Sequence, residues 1–266
     1  MIKGIDRNDD PQRSSTNAEI ARPSIAKVDA YDLTAKYGQA NLRKSLWQLL
    51  NTFTPYCLLW WFMVHTNRFR YPYWTTLALA LPAGGILVRI FILFHDCCHG
   101  SFFSSRRANT ILGYVTGVLT FTAFEDWRHA HNRHHATAGD LDRRGIGDIW
   151  TMTTEEFSAA SRRKQIAYRI YRHPFILFGP GAALLFLIFQ RFPKKGAGKS
   201  ARRSVLVTNA ALLLLVAVAT WSIGFRIYLL IQLPIILVGG GLGLWLFYVQ
   251  HQFEDPIGYV TTVGIR

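Results

Sequence analysis

Four of the nine histidines fall within eight residues, "HAHNRHHA" at 129–136, and two more stand four apart in "FHDCCHGSFF" as His95 and His99. In a helix, residues i and i+4 lie on one face with Cβ atoms about 5 to 6 Å apart, the spacing at which two imidazoles share a metal ion. His131, His134 and His135 repeat the device at i, i+3 and i+4, whereas His129 sits about 200° around the helix from His131 and is left out. His251, in "YVQHQFED", is a sixth candidate, and the isolated His65 and His173 read as ordinary residues of a membrane border. Neutral imidazole suits zinc, copper, nickel and iron alike. Five or six such rings exceed what one tetrahedral zinc accepts, so two ions are expected.

Carboxylates surround both clusters: Asp96, Glu125, Asp126, Asp140, Asp142, Asp148, Glu254 and Asp255. A ligating imidazole usually donates its other N–H to a carboxylate or carbonyl, so any of these could orient a ring. Each could equally be a solvated group or pair with Arg128, Arg133, Arg143 or Arg144. Cys97 and Cys98 share a helix with His95 and His99 but point elsewhere, which favours packing.

The elements that must position these residues are membrane helices. Half the residues are apolar and only 17% are charged, and the apolar ones arrive in long blocks, which excludes an ordinary soluble globule. Leu46–Val64, Trp74–Phe94, Ser204–Ile223 and Ile227–Tyr248 each match a hydrocarbon core of about 30 Å. Ile111–Phe124 and Phe175–Phe189 are shorter and read as interfacial or re-entrant pieces, the second broken by "GPG" at 179–181. The expectation is an all-α polytopic fold: four transmembrane helices in two hairpins beneath a cytoplasmic histidine-rich cap.

The formal net charge of +14 suits nucleic acid or a membrane surface, and its distribution decides for the membrane with no nucleic-acid role. Eight Lys or Arg precede the first block, eleven lie between Phe94 and Phe175, and six lie in Arg191–Arg203, while the hairpin turns carry few. The positive-inside tendency puts both termini and the middle region in the cytoplasm, with every histidine but His65 on that side. Residues 1–45 read as a polar cytoplasmic segment without a cleaved leader, ending in a short helix near Leu42–Leu49. Three cysteines are too few and too badly placed for a disulfide framework, which suits a reducing compartment. "GAGKS" at 196–200 lacks the preceding strand and glycine of a phosphate-binding loop, and the glycines at 239–241 and 243 read as close helix packing.

On these residues the chain resembles the membrane fatty acid desaturases, especially the bacterial acyl-lipid Δ12-type branch, from about Trp47 to Asp255. "HDCCHGSFF" looks like the first histidine box, "HNRHHATAGDLDRRGIGDIWT" like the second, and "YVQHQFED" like the end of the fourth span. The resemblance implies a centre of two iron ions held by His95, His99, His131, His134, His135 and His251. It also implies an acyl-lipid substrate, O2, electrons from ferredoxin or cytochrome b5, a cis double bond as product, and residence in a bacterial inner membrane. Related readings are a histidine-box hydroxylase of carotenoids or alkanes, and a truncated pseudoenzyme without catalysis.

Two departures accompany it. Cys98 stands where the family commonly has glycine, and no histidine follows His251, although the family carries a further HxxHH beyond the fourth span. The desaturase membrane domain would then be 46–255 and incomplete, and 256–266, "PIGYVTTVGIR", an aberrant tail. Pro256, Ile257 and Gly258 are what codons for Thr-Tyr-Trp give after losing one base, so a frameshift is expected, with activity impaired as written.

Overall fold

The computed structural model describes residues 40–137, 143, 145, 148–194 and 196–250, all within one unit, Ala40–Arg266. The tail, most of the polar N-terminal segment, His251, Asp140, Asp142, Arg144, Glu254 and Asp255 lie outside these residues. The described chain is helical, with no strand. It runs α1 Leu42–Arg68, α2 Trp74–His99, α3 Arg106–Leu119, α4 Phe124–Thr137, α5 Thr154–Ala159, α6 Arg162–Arg172, a broken run α7 Pro174–Arg191, α8 Lys199–Ile223 and α9 Phe225–Gln250.

Helices α1 and α2 form one hairpin, and α8 and α9, joined at Gly224, form the other. The two hairpin turns are tied at one end of the molecule, where Arg68 donates to the Ser222 carbonyl and Tyr73 to that of Leu230, at 2.9 and 3.0 Å. Four helices among the described residues are long and apolar enough to cross a membrane: α2, α7, α8 and α9. By length and composition this set differs from the expected one in two places. Helix α1 has the length, at 27 residues, but Gln48, Asn51, Thr52 and Thr54 dilute its apolar content. Conversely, Phe175–Phe189 extends to the 18 residues of α7, with non-helical backbone at Gly179 just before Pro180, as "GPG" suggests. The short helix expected near Leu42–Leu49 is the first part of α1, because Asn41 caps it and nothing in the sequence stops it.

The two hairpins pack through small residues. A Cβ on Gly84 of α2 would strike Val238 of α9, and one on Gly239 would meet the Gly84 carbonyl oxygen at 3.0 Å. At Gly241 a Cβ would run into the backbone carbonyl of Phe178 in α7, well inside contact distance. Such close approach is how helices gain contact where the surrounding lipid is as apolar as the side chains. Around this seam Tyr56, Met63, Leu87, Ile90, Ile231 and Ile235 form the main core.

Because the obstacle at Gly241 is backbone, which has little room to yield, Gly241→Ala should lower stability by about 1–3 kcal/mol through overpacking. Gly85→Ala, on α2, meets open space and should be neutral or stabilising by up to about 1 kcal/mol. Thermal unfolding of the two variants in detergent checks the contrast.

Candidate metal centre

The first histidine pair sits on the last turn of α2, which stops at once: Gly100 adopts φ 71°, where a side chain is strained, and its N–H returns to the Cys97 carbonyl at 3.1 Å. The loop beyond is stapled by buried Asn109 of α3, whose amide accepts from the Phe103 N–H at 2.9 Å and donates to the carbonyls of Gly100 and Phe103. Ser45 of α1 fastens the same loop by donating to the Phe102 carbonyl at 2.7 Å. The second cluster lies on α4, which begins after Phe121 at φ 56° turns the chain. An aromatic seam locks α4 onto α2: Phe94 meets Phe124 and Trp127 edge-on at 5.9 and 5.1 Å, and Phe91 meets Trp127 at 5.5 Å.

Docked in this way, the Nε2 atoms of His95, His99 and His131 form a triangle with edges of 3.3, 3.1 and 3.0 Å. His135 Nε2 lies 2.9 Å from that of His131, and the four ligand atoms all fall within 4.8 Å of one another. Hydrogen bonds alone do not account for this packing, since a neutral imidazole has one N–H and His131 Nε2 faces three other ring nitrogens. Nitrogens each about 2.1 Å from one ion stand about 3.0 Å apart at right angles and about 3.4 Å apart in a tetrahedron, which brackets these edges. The donor set therefore fits a metal that accepts neutral nitrogen ligands.

Of the six histidines selected from sequence, the structure gathers four. His134 is buried, its ring centroid 6.3 Å from that of His131, and its Nδ1 makes a short contact with Asp148 Oδ1. His251 lies outside the described residues. His129 is exposed and apart from the cluster, as its angle on the helix implies. Cys97 and Cys98 are buried among Leu93, Phe94, Phe102 and Phe124, in a packing role.

The carboxylates that sequence left unranked separate here. Asp96 Oδ1 lies 3.2 Å from His95 Nδ1, and Asp148 serves His134, so both stand behind rings of the cluster region. Glu125 pairs with Arg128 at 2.6 Å. Asp126, 3% exposed, takes Lys194 Nζ at 2.9 Å and the Lys194 N–H at 3.2 Å, a buried pair joining α4 to the segment after α7. Trp127 was not singled out from sequence, yet its indole stacks on His131 at 4.1 Å and 20° and fixes that ring's plane. Its spacing of four residues from His131 was the available signal.

Beside the cluster lies a cavity of about 580 Å³, lined mainly by apolar side chains and bordered at the centre by His131 and His134. Its walls include Leu87 and Phe91 of α2, Leu184 of α7 and Leu244 of α9. On α9 the lining runs from Ile236 to Phe247, about 16 Å of helix. Gly239, Gly240 and Gly243 belong to this wall, so the glycines serve both the helix seam and the open space beside it.

Burial, together with His95, His135, His99 and His134 around it, pushes the pKa of His131 from 6.5 down to about 3. Between those values the unfolded chain holds a proton that the folded chain lacks, so stability rises with pH across the interval and is lost on acidification below 6.5. For the metal-free protein in detergent, the unfolding temperature should fall from pH 7.5 to 5, and His131→Gln should flatten part of that slope.

The family model for fatty acid desaturases matches residues 71–265. The chain is 50% identical to a fatty acid desaturase of Bacillus subtilis (strain 168) over 221 residues, 83% of this chain and 62% of the relative. It is 26% identical to the sn-1 oleoyl-lipid 12-desaturase of Anabaena variabilis over 64% of this chain and 46% of that one. It is 25% identical to the sn-1 acyl-lipid omega-3 desaturase (ferredoxin) of Synechocystis sp. (strain ATCC 27184 / PCC 6803 / Kazusa) over 66% and 50%. The chain thus spans between about half and three fifths of the length of these relatives. With its four apolar helices long enough to cross a bilayer and its histidine cluster, this membrane protein belongs to the fatty acid desaturase family.

Proposed function

We propose that the protein inserts a cis double bond into an acyl chain of a membrane lipid, lying in the cavity beside His131 and His134. The observation that carries this reading is the cavity itself: an apolar slot along α9 whose one cluster of potential metal ligands stands at its border. In such a slot the methylene chain is desolvated and held in line, so that two adjacent carbons sit at a fixed distance from the ring nitrogens. The net reaction removes two hydrogens from –CH2–CH2– and, with O2, two electrons and two protons, yields –CH=CH– and two waters. Two iron ions would be held by His95, His99, His131, His134, His135 and His251 and, when bound, would supply O2 activation. The chain's own residues orient the rings and shield them from water: Trp127 stacks on His131, Phe247 lies beside His134, and Phe91 lines the cavity next to them.

The electrons come from a ferredoxin or cytochrome b5; the Synechocystis relative is a ferredoxin desaturase by name. The cations gathered around the histidine end support a cytoplasmic location for the centre in a bacterial inner membrane. The resemblance to the family implies a further HxxHH, and no histidine follows His251 within these 266 residues, which by themselves are expected to hold iron weakly and to desaturate little.

Lipids extracted from an expressing host test the reaction. A fusion of this chain to the part of the Bacillus relative that follows the matched stretch should yield a new cis double bond and two irons per chain, whereas the chain alone gives far less of both. A hydroxylated product from the fusion makes the protein a hydroxylase, and a fusion with two irons and no lipid product rules out both. Separately, Asp148→Ala should weaken iron binding by about 10- to 100-fold, because His134 loses the acceptor that fixes its ring, and Asp148→Asn, which keeps a neutral acceptor, should weaken it less. Metal titration followed by absorbance measures this without turnover.

A further inference from the structure

Helix α6 has two unlike faces. One is turned to the protein. Gln165 donates to the carbonyls of Phe157 and Ala160, and the hydroxyls of Tyr168 and Tyr171 receive the N–H groups of Met152 and Trp150. Arg172 donates to the Tyr248 hydroxyl at 2.9 Å and lies over that ring. The other face is open: Ile166 and Ile170, one turn apart, are 50% and 56% exposed, and Arg162 and Arg163, which flank them around the helix, are exposed as well, while the exposed Arg169 reaches back over the Phe157 ring, 5.4 Å from its centre. The helix holds five cations in eleven residues and no carboxylate.

Its place in the chain fixes its depth. Only His173 separates α6 from Pro174, where the 18-residue apolar run α7 begins, and Phe175 at that entry is 83% exposed. A helix tethered within one residue of a membrane span lies at the border of the bilayer. Cations that flank exposed aliphatic residues there reach the phosphate layer, while the aliphatic residues enter the region beneath it.

We propose that the outward face of α6 is a binding surface for anionic phospholipid headgroups, with Arg162 and Arg163 as the principal contacts and Ile166 and Ile170 as the apolar anchor. The occupant is lipid rather than an acidic protein because the cations alternate with exposed isoleucines beside the entry to a span. A purely electrostatic protein dock needs no aliphatic insertion at that depth. The same helix braces Trp150 and hence the segment bearing Asp148, so the surface adjoins the support of His134.

The test uses the purified 266-residue protein in neutral detergent micelles carrying phosphatidylglycerol or phosphatidylcholine, with bound lipid counted by native mass spectrometry and unfolding followed in parallel. The unaltered protein should prefer phosphatidylglycerol, and salt at about 0.5 M should erode the preference. Each cation near an anionic surface contributes about fivefold, so Arg162→Gln with Arg163→Gln should reduce the preference by up to about 25-fold. That variant should unfold in phosphatidylcholine as the original does. Ile166→Ser with Ile170→Ser should weaken binding of both lipids alike. No preference in the original protein, or a full preference in the double arginine variant, overturns the proposal. So does a double arginine variant that keeps its lipids but loses an acidic ferredoxin probe or changes its oligomeric state. None of these readouts involves desaturation, so they stand or fall apart from the reaction proposed above.

Discussion

Ring nitrogens do not gather of their own accord. Lone pairs brought to about 3 Å repel unless a proton or a metal is shared, and charging one of several adjacent imidazoles is opposed by burial and by its neighbours. The triangle of His95, His99 and His131, with His135 against it, is therefore a constraint imposed by the rest of the fold. The i, i+4 spacing supplies two rings from one helix, and the docking of α2 against α4 supplies the rest. The Phe94, Phe124 and Trp127 seam, the Gly100 turn and the Asn109 staple all serve that docking.

The same arrangement explains the helix packing further from the centre. Glycines at 84, 239 and 241 let α2, α7 and α9 approach to backbone contact, and the large residues around them leave a slot that runs along α9 to the histidines. Packing and cavity are thus one feature: small residues bring the backbones together, and where they face the bent run α7 they leave room. The break at Gly179 and Pro180 lies in this wall, with Pro180 and Gly181 among the lining residues. An apolar slot of this kind accepts a flexible chain without polar groups, in agreement with membership of the fatty acid desaturase family.

Much of this was legible in the residues alone. The apolar blocks placed α2, α8 and α9, and the angular position of each histidine on its helix separated His131 and His135 from His129. What the sequence concealed depends on contacts between distant segments. Eight carboxylates of similar local setting could not be ranked from sequence, and Asp126 stands out only once Lys194, sixty-eight residues away, comes to pair with it. Trp127 looked like one aromatic residue among many, and its stacking on His131 requires the α2 seam to hold both. The exchange between α1 and α7 as apolar spans has a compositional cause: α1 carries polar residues among its tryptophans and leucines, whereas α7 gains length once its broken ends are counted with it.

The central claim is that neutral ring nitrogens from α2 and α4 form the first coordination sphere of iron at the edge of the bilayer. X-ray absorption at the iron edge of the purified, iron-loaded protein tests it most directly. The account predicts a shell of nitrogen scatterers at about 2.1 Å with the outer-shell pattern of several imidazole rings and no sulfur. A shell dominated by carboxylate oxygen or cysteine sulfur, or one unchanged when His99 and His135 are both replaced by glutamine, would contradict it.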